Sequence, residues 1–136
     1  MLKRLLSRNE LLRFIKFSIV GGSGLVVNTV ALYVLATFVF GERLYMLAAA
    51  ISLELSIINN FLLNEYWTFR DRAVAGEFLK RFVKFHGSRI AGFFTTLTIL
   101  YVLTDVLGVY YLISNLIGVL VGMGVNYLTS NFWVWQ

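Results

Sequence analysis

Residues 17–40 of this chain read FSIVGGSGLVVNTVALYVLATFVF and contain no charged side chain. A helix needs about 20 residues to cross the roughly 30 Å hydrocarbon core of a bilayer. This run of 24 residues is long enough for one span. A secretory signal would place a shorter apolar core before a small-residue cleavage site, so we interpret the run as a retained transmembrane helix.

The composition of the whole chain points to lipid as its solvent. Apolar residues make up 59% of the 136 and charged residues 14%, whereas a soluble domain of this length needs more polar surface. The sequence has no cysteine, and its single histidine, His86, has no companion ligands. We therefore expect no metal and no cofactor.

Three further spans follow the first. The second covers about residues 44–64 and is interrupted only by Glu54. Only 15 residues separate Arg89 from Asp105, roughly 22 Å of helix, so we place the third span at about 85–107, with Arg89 inside the boundary and its stem snorkelling outward. The fourth span covers about 110–127, and residues 1–136 form a single membrane domain.

The basic residues predict the direction of insertion. Eleven of the twelve lie before the first span or around the loop between the second and third spans: Lys3, Arg4, Arg8, Arg13, Lys16, Arg70, Arg72, Lys80, Arg81, Lys84 and Arg89. Only Arg43 falls on the other side. By the positive-inside rule, both termini and the central loop of this multi-pass cell-membrane protein lie in the cytosol.

Two short patterns recur along the chain. RFIKF at 13–17 returns as RFVKF at 81–85, and NFL at 60–62, with Trp67 and Phe69, is echoed by NYL at 126–128, with Trp133 and Trp135. The nearly constant offsets predict a duplicated helical hairpin, with copies at about 11–70 and 79–136. The predicted fold is an all-α bundle of four transmembrane helices in a parallel repeat, related by an axis along the membrane normal.

The same segments carry a family resemblance, which covers nearly the whole chain: residues 14–28, 60–70, 81–82 and 126–135. The sequence resembles the GtrA-like family of small four-span membrane proteins associated with cell-surface polysaccharide synthesis. The last segment departs from the usual ending, which carries a basic residue before the Trp and a Phe after it. The resemblance implies movement of a polyprenyl-phosphate lipid, often bearing one sugar, for a glycosyltransferase acting outside. Some members are instead viewed as scaffolds that recruit such enzymes.

Five cations are candidates for binding the lipid phosphate. Arg13 with Lys16, and Arg81 with Lys84, are three residues apart and share a helix face, with aromatic residues between them. Arg89 lies slightly deeper, where a guanidinium can grip phosphate through two hydrogen bonds. The alternative for the two pairs and for Arg89 is topological anchoring and attraction to anionic lipid. Glu54 is a second candidate for the anionic partner of Arg89.

Polar residues inside the spans are candidates for contacting a headgroup or sugar: Asn28, Glu54, Asn60, Asn64 and Asn126. An acid near mid-membrane costs about 2.5 to 3.5 kcal/mol, so we expect Glu54 to face the interior with a partner. The alternative for these residues is hydrogen bonding between helices. Residues 21–24 lack the pattern of a phosphate loop, and we interpret them as close helix packing, as we do the small residues at four-residue spacing on the other spans.

Three functions remain open. We favour translocation of a polyprenyl-phosphate lipid, with a membrane glycosyltransferase as partner. The alternatives are a scaffold that does not transport and, third, a small proton-coupled exporter, which the strong charge bias disfavours. We expect neither catalysis, since no nucleophile or paired carboxylates are visible outside the spans, nor a nucleic-acid partner. A four-span chain encloses little volume, so homo-oligomerisation is left open.

The charge asymmetry yields a topology prediction. Reporters fused at either terminus or in the 70–84 loop should all report cytosol, and reporters at Gly41 or Gly108 should report the outside. The measurement is the activity of a compartment-sensitive reporter at each site. Mixed populations at one site would contradict a single orientation and revive the exporter.

Overall fold

The computed structural model of the chain describes residue 3 and residues 6–136, except for the side chains of residues 42, 45, 111 and 112. All regular secondary structure over this part is helical. Its four long helices are α1 (Arg8–Val34), α2 (Tyr45–Leu63), α3 (Phe78–Tyr101) and α4 (Tyr111–Thr129). All four are long and apolar enough to cross a membrane, which confirms the predicted all-α fold class. Arg4, one of the predicted topogenic cations, lies outside the described residues.

Each long helix continues into one π-helical turn: Leu35–Val39, Asn64–Thr68, Val102–Val106 and Ser130–Val134. The backbone N–H of Phe40 donates to Leu35 O at 2.8 Å, and that of Trp135 donates to Ser130 O at 2.9 Å. Such bonds satisfy carbonyls that a helix end leaves without a partner, which is costly near lipid.

Two helices begin earlier than the apolar runs that predicted them. α1 begins at Arg8 rather than at about residue 17, and the Ser7 side chain caps it by accepting from Glu10 N at 3.3 Å. α3 begins at Phe78 rather than at about residue 85. The sequence contains no proline, so nothing breaks the helix where basic residues give way to apolar ones. Hydropathy indicates where a helix enters lipid, whereas the helix itself begins earlier, among the polar residues before the apolar run.

The chain divides into two compact units, Met1–Asp71 and Arg72–Gln136. The first unit contains α1 and α2, and the second contains α3 and α4. Gly41 and Gly108 precede α2 and α4 with φ of 72° and 71°, a left-handed conformation that glycine adopts without a Cβ clash. The single-domain assignment and the repeat boundaries stay predictions.

Small residues bring α1 and α2 together in the first unit. Ala48, Ser52 and Ser56 are buried, and the Ser56 hydroxyl donates to Gly24 O at 2.7 Å. The Asn60 amide lies so close to Gly24 that a Cβ there would come within 2.7 Å of Asn60 Cγ. These contacts confirm close packing at the small residues of the second span.

The second unit packs in the same manner. Ser88 is buried, Gly92 lies against the Asn126 amide, and the Thr96 hydroxyl donates to Gly118 O at 3.1 Å. A Cβ on Gly118 would lie 2.9 Å from Thr96 O. α3 and α4 therefore also approach through small residues and side-chain hydrogen bonds.

The interpretation of residues 21–24 as a packing surface is only partly correct. Gly24 packs against α2, and Ser23 Oγ accepts from Asn59 Nδ2 at 3.1 Å. Gly21 and Gly22 are exposed, and a Cβ on either would meet nothing within 4 Å. Gly21 and Gly22 therefore do not contribute to the contact with α2.

This packing predicts that two glycine substitutions on α1 differ in their effect on the stability of the protein. Gly24→Ala should lower the free energy of unfolding by about 1–3 kcal/mol, because the new methyl group displaces the Asn60 amide. Gly21→Ala should be neutral or slightly stabilising, because it meets open space and favours the helix. The measurement is thermal unfolding in detergent. Adding Asn60→Ala to Gly24→Ala should recover part of the loss, and equal behaviour of the two single variants would contradict the packing.

Candidate functional site

An open cavity of about 610 Å³ lies where the start of α1 meets the turns that follow α2. We call it the basal cavity. It is lined by Asn9, Leu12, Arg13, Lys16, Tyr66, Trp67, Thr68, Arg70 and Asp71. The lining thus contains three cations, one carboxylate and two aromatic rings, all from the first unit.

Lys16 and Trp67 form one side of the basal cavity. Nζ of Lys16 lies 5.4 Å from the centroid of the Trp67 ring, within the range of a cation–π interaction. The next residue of α1, Phe17, is buried edge-to-face on buried Phe69, with ring centroids 6.4 Å apart. This aromatic contact fixes α1 against the turn after α2 and so positions Lys16 beside Trp67. Trp67 is 44% exposed, so part of its ring remains open to a ligand.

Arg13 lies between two carboxylates. Its Nη1 donates to Glu10 Oε1 at 2.6 Å, and its Nη2 donates to Asp71 Oδ2. The Glu10 side chain is 5% exposed and that of Asp71 is 61% exposed. The inner contact joins neighbours on α1, and the outer one ties α1 to the turn 58 residues later. In this arrangement the guanidinium charge is already compensated.

The corresponding corner of the second unit has similar residues but little space. Nζ of Lys84 lies 5.8 Å from the centroid of the Trp133 ring and donates to Trp133 O at 3.3 Å. Buried Arg81 donates through Nη1 to Val74 O at 2.8 Å. The cavity there measures about 40 Å³. Arg81 and Lys84 thus bind backbone carbonyls of their own unit.

Arg89 stays within the second unit's polar packing. Its guanidinium carbon lies 4.0 Å from the centroid of the Phe85 ring. When the Asn126 amide is oriented to satisfy both of its ends, its oxygen accepts from Arg89 Nη1 at 3.1 Å and its nitrogen donates to Ser88 O at 3.0 Å. The structure therefore brings together Arg89 and Asn126, two of the predicted site residues.

The remaining predicted residues lie apart from the cavities. Asn60 packs on Gly24, and Asn64 is buried at the start of the π-helical turn after α2. Asn28 is half-buried on α1, and Glu54 is exposed on α2. The packing of the first unit does not enclose Glu54, and its expected position facing the bundle interior and its role in binding stay predictions.

The site residues predicted from the sequence did not include the two carboxylates that contact Arg13, those of Glu10 and Asp71. Glu10 precedes Arg13 by three residues, the spacing of a helical ion pair, so this signal was available. Asp71 contacts Arg13 from far along the chain, and no local pattern indicates that contact. Over the residues that the structure describes, no group of three or more acidic or histidine side chains could hold a metal ion.

Comparison with known proteins places the chain in a family. The sequence pattern of the family described as "GtrA/DPMS, transmembrane domain" matches residues 16–135. The dolichol-phosphate mannosyltransferase of Pyrococcus furiosus is 36% identical over 126 residues, which are 93% of this chain and 34% of that protein. The chain thus spans about a third of the length of that relative. With four helices of membrane-spanning length and a family match over nearly all its residues, this multi-pass membrane protein belongs to the GtrA/DPMS transmembrane-domain family.

Proposed function

We propose that this protein translocates a polyprenyl-phosphate lipid, bearing a sugar, across the membrane for the synthesis of cell-surface glycans. Two findings support this function. The chain belongs to a family named for GtrA and DPMS, and a relative is named for transfer of mannose with dolichol phosphate. The protein itself makes and breaks no covalent bond in this proposal, and a membrane glycosyltransferase uses the translocated lipid.

The basal cavity is the observation that carries the proposal. It combines Lys16, Arg70 and the Arg13 guanidinium with the exposed Tyr66 and Trp67 rings. Cations bind phosphate through charge-assisted hydrogen bonds, and aromatic rings at interfacial depth offer an apolar face with a polar edge. Phosphate, sugar and the first isoprene units of the lipid therefore each have a matching surface.

The proposal includes the cytosolic placement of both termini and the duplication of the hairpin. The charge bias supports the first. Contacts that recur at the sequence offsets support the second: Phe17 with Phe69 and Phe85 with Trp135, Lys16 with Trp67 and Lys84 with Trp133, Gly24 with Asn60 and Gly92 with Asn126. Under this proposal the basal cavity faces the cytosol, where it loads the lipid.

A scaffold for a glycosyltransferase is the second candidate. The Pyrococcus relative is named as a mannosyltransferase, and about two thirds of its length lies outside the region aligned with this chain. A membrane segment of this family thus occurs in one polypeptide with that named activity. As a scaffold, the protein would hold an enzyme at the membrane without moving lipid.

A liposome assay tests translocation. The full chain is reconstituted with a fluorescently tagged short-chain polyprenyl phosphate, and a membrane-impermeant reductant bleaches the tag in the outer leaflet. Translocation should make the tagged lipid of both leaflets accessible, whereas protein-free liposomes should protect the inner leaflet. Lys16→Gln should slow translocation about tenfold, because it removes one charge-assisted hydrogen bond that contributes roughly 1.5 kcal/mol.

Lys80→Gln is the matched control, because it removes one exposed lysine charge outside the basal cavity. It should leave the rate unchanged. Protection of the inner leaflet by the wild-type protein would refute translocation. Copurification of a glycosyltransferase in that case would favour the scaffold.

Arg89→Lys separates a ligand-binding role from a structural role for this residue. Lysine keeps the charge and can remain near the Phe85 ring, but it loses the planar fork that grips phosphate. If Arg89 binds the lipid, polyprenyl-phosphate binding should weaken about tenfold, with a smaller change in melting temperature. The measurements are lipid binding and thermal unfolding in the same detergent. Equal binding with a lowered melting temperature would assign Arg89 to packing with Asn126.

A further inference from the structure

The basal cavity of the first unit and the cavity beside Arg81 and Lys84 in the second unit differ in whether they can admit a ligand. The basal cavity of the first unit has a volume of about 610 Å³, whereas the cavity beside Arg81 and Lys84 in the second unit has a volume of about 40 Å³. Lys84 and Arg81 donate to backbone carbonyls at 3.3 and 2.8 Å. Lys16 and Lys84 both lie over tryptophan rings, but Lys16 lines the large open cavity. A phosphate headgroup therefore has a place to bind in the first unit.

The carboxylate of Asp71 occupies the position beside the Arg13 guanidinium that a bound phosphate would occupy. It lines the basal cavity and accepts from Nη2 of Arg13. Glu10 binds the other side of the same guanidinium from a buried position, whereas Asp71 is mostly exposed. A phosphate entering the cavity would meet two carboxylates around one guanidinium, and like charges repel at such short range. Of the two, only Asp71 has solvent into which it can move.

We propose that the basal cavity binds the anionic phosphate headgroup of a lipid and that Asp71 is a displaceable counter-anion, bound to Arg13 until the phosphate replaces it. This inference rests on the proposed function. The phosphate then bridges Arg13 and Lys16, while Asp71 moves into solvent. Without such a counter-anion, the Nη2 edge of the Arg13 guanidinium would attract any anionic lipid nearby.

Thr68 adds a neutral hydrogen-bonding group to the site. It lines the cavity and is 3% exposed. Its Oγ1 is buried and has no hydrogen-bond partner among residues 6–136. A hydroxyl that donates to a phosphate oxygen would satisfy this group, which is otherwise costly to bury.

Displacement of Asp71 also releases the end of the first unit. Asp71 is the last residue of that unit, and its contact with Arg13 ties the Arg70–Arg72 turn to α1. Headgroup binding thus replaces the contact between Arg13 and Asp71 with a contact between Arg13 and the phosphate. The binding free energy gained at Arg13 is only the difference between these two contacts, which keeps lipid binding reversible.

The test is the affinity of the purified full chain for a short-chain polyprenyl phosphate in detergent. Asp71→Asn should bind about three- to tenfold more tightly than wild type, because no carboxylate then competes for Arg13. Glu77→Gln is the matched control: Glu77 is 52% exposed and pairs with Lys80 at 3.7 Å, away from the basal cavity. It should leave the affinity unchanged.

Two further sets of binding measurements complete the test. One identifies the chemistry of the ligand, and the other identifies the residue through which Asp71 acts. The matching polyprenol without phosphate should bind wild type and Asp71→Asn equally. Inorganic phosphate should bind far more weakly than the lipid, and equal binding would overturn a lipid headgroup in favour of free phosphate. In an Arg13→Gln background, Asp71→Asn should bring no gain, because the two residues act as one pair.

Each arm can fail separately. No binding of polyprenyl phosphate by wild type would refute the proposed function. Binding by wild type with no gain in Asp71→Asn would leave that function intact and refute the counter-anion. An equal gain in Asp71→Asn and Glu77→Gln would reduce the effect to net charge and also refute it. If Asp71→Asn is unstable, Asp71→Ser, which also lacks a carboxylate, must show the same gain for the inference to stand.

Discussion

The structure depends on close approach of helices that lipid does not push together. Lipid tails are as apolar as the helix surfaces, so association relies on packing at small residues and on hydrogen bonds. Gly24 supplies this in the first unit, where α2 donates a serine hydroxyl to its carbonyl and lays the Asn60 amide against its Cα. The helix spacing set there determines where the ends of α1 and α2 meet.

The basal cavity follows from that spacing and from an aromatic contact. Phe17 and Phe69 are both fully or nearly fully buried and lock α1 to the segment after α2. Because Lys16 directly precedes Phe17, and Trp67 precedes Phe69 by two residues, the same contact brings lysine and tryptophan to one rim. Phe17 and Phe69 thus position residues of the cavity wall without lining the cavity themselves.

The two units show how similar residues acquire different properties from their surroundings. Both place a lysine over a tryptophan ring and an arginine three residues earlier on the helix. In the second unit the arginine turns inward to the carbonyl of Val74 and is buried, and the remaining space is small. In the first unit the arginine meets carboxylates, one of them solvent-exposed, and the space stays open. A solvent-exposed carboxylate can move away from its arginine, whereas a backbone carbonyl is held in place by the fold around it.

The sequence by itself determined the helical class and the four spans. Those features depend on hydrophobic length, which is visible along the chain. It did not determine that α1 begins at Arg8, since apolar content marks lipid depth rather than helix ends. Only the tertiary structure decided that Asp71 reaches Arg13. It alone also decided that the basal cavity of the first unit is open, whereas the cavity beside Arg81 and Lys84 in the second unit is small. Both outcomes depend on how distant segments pack, because a contact across 58 residues leaves no periodic trace in the sequence.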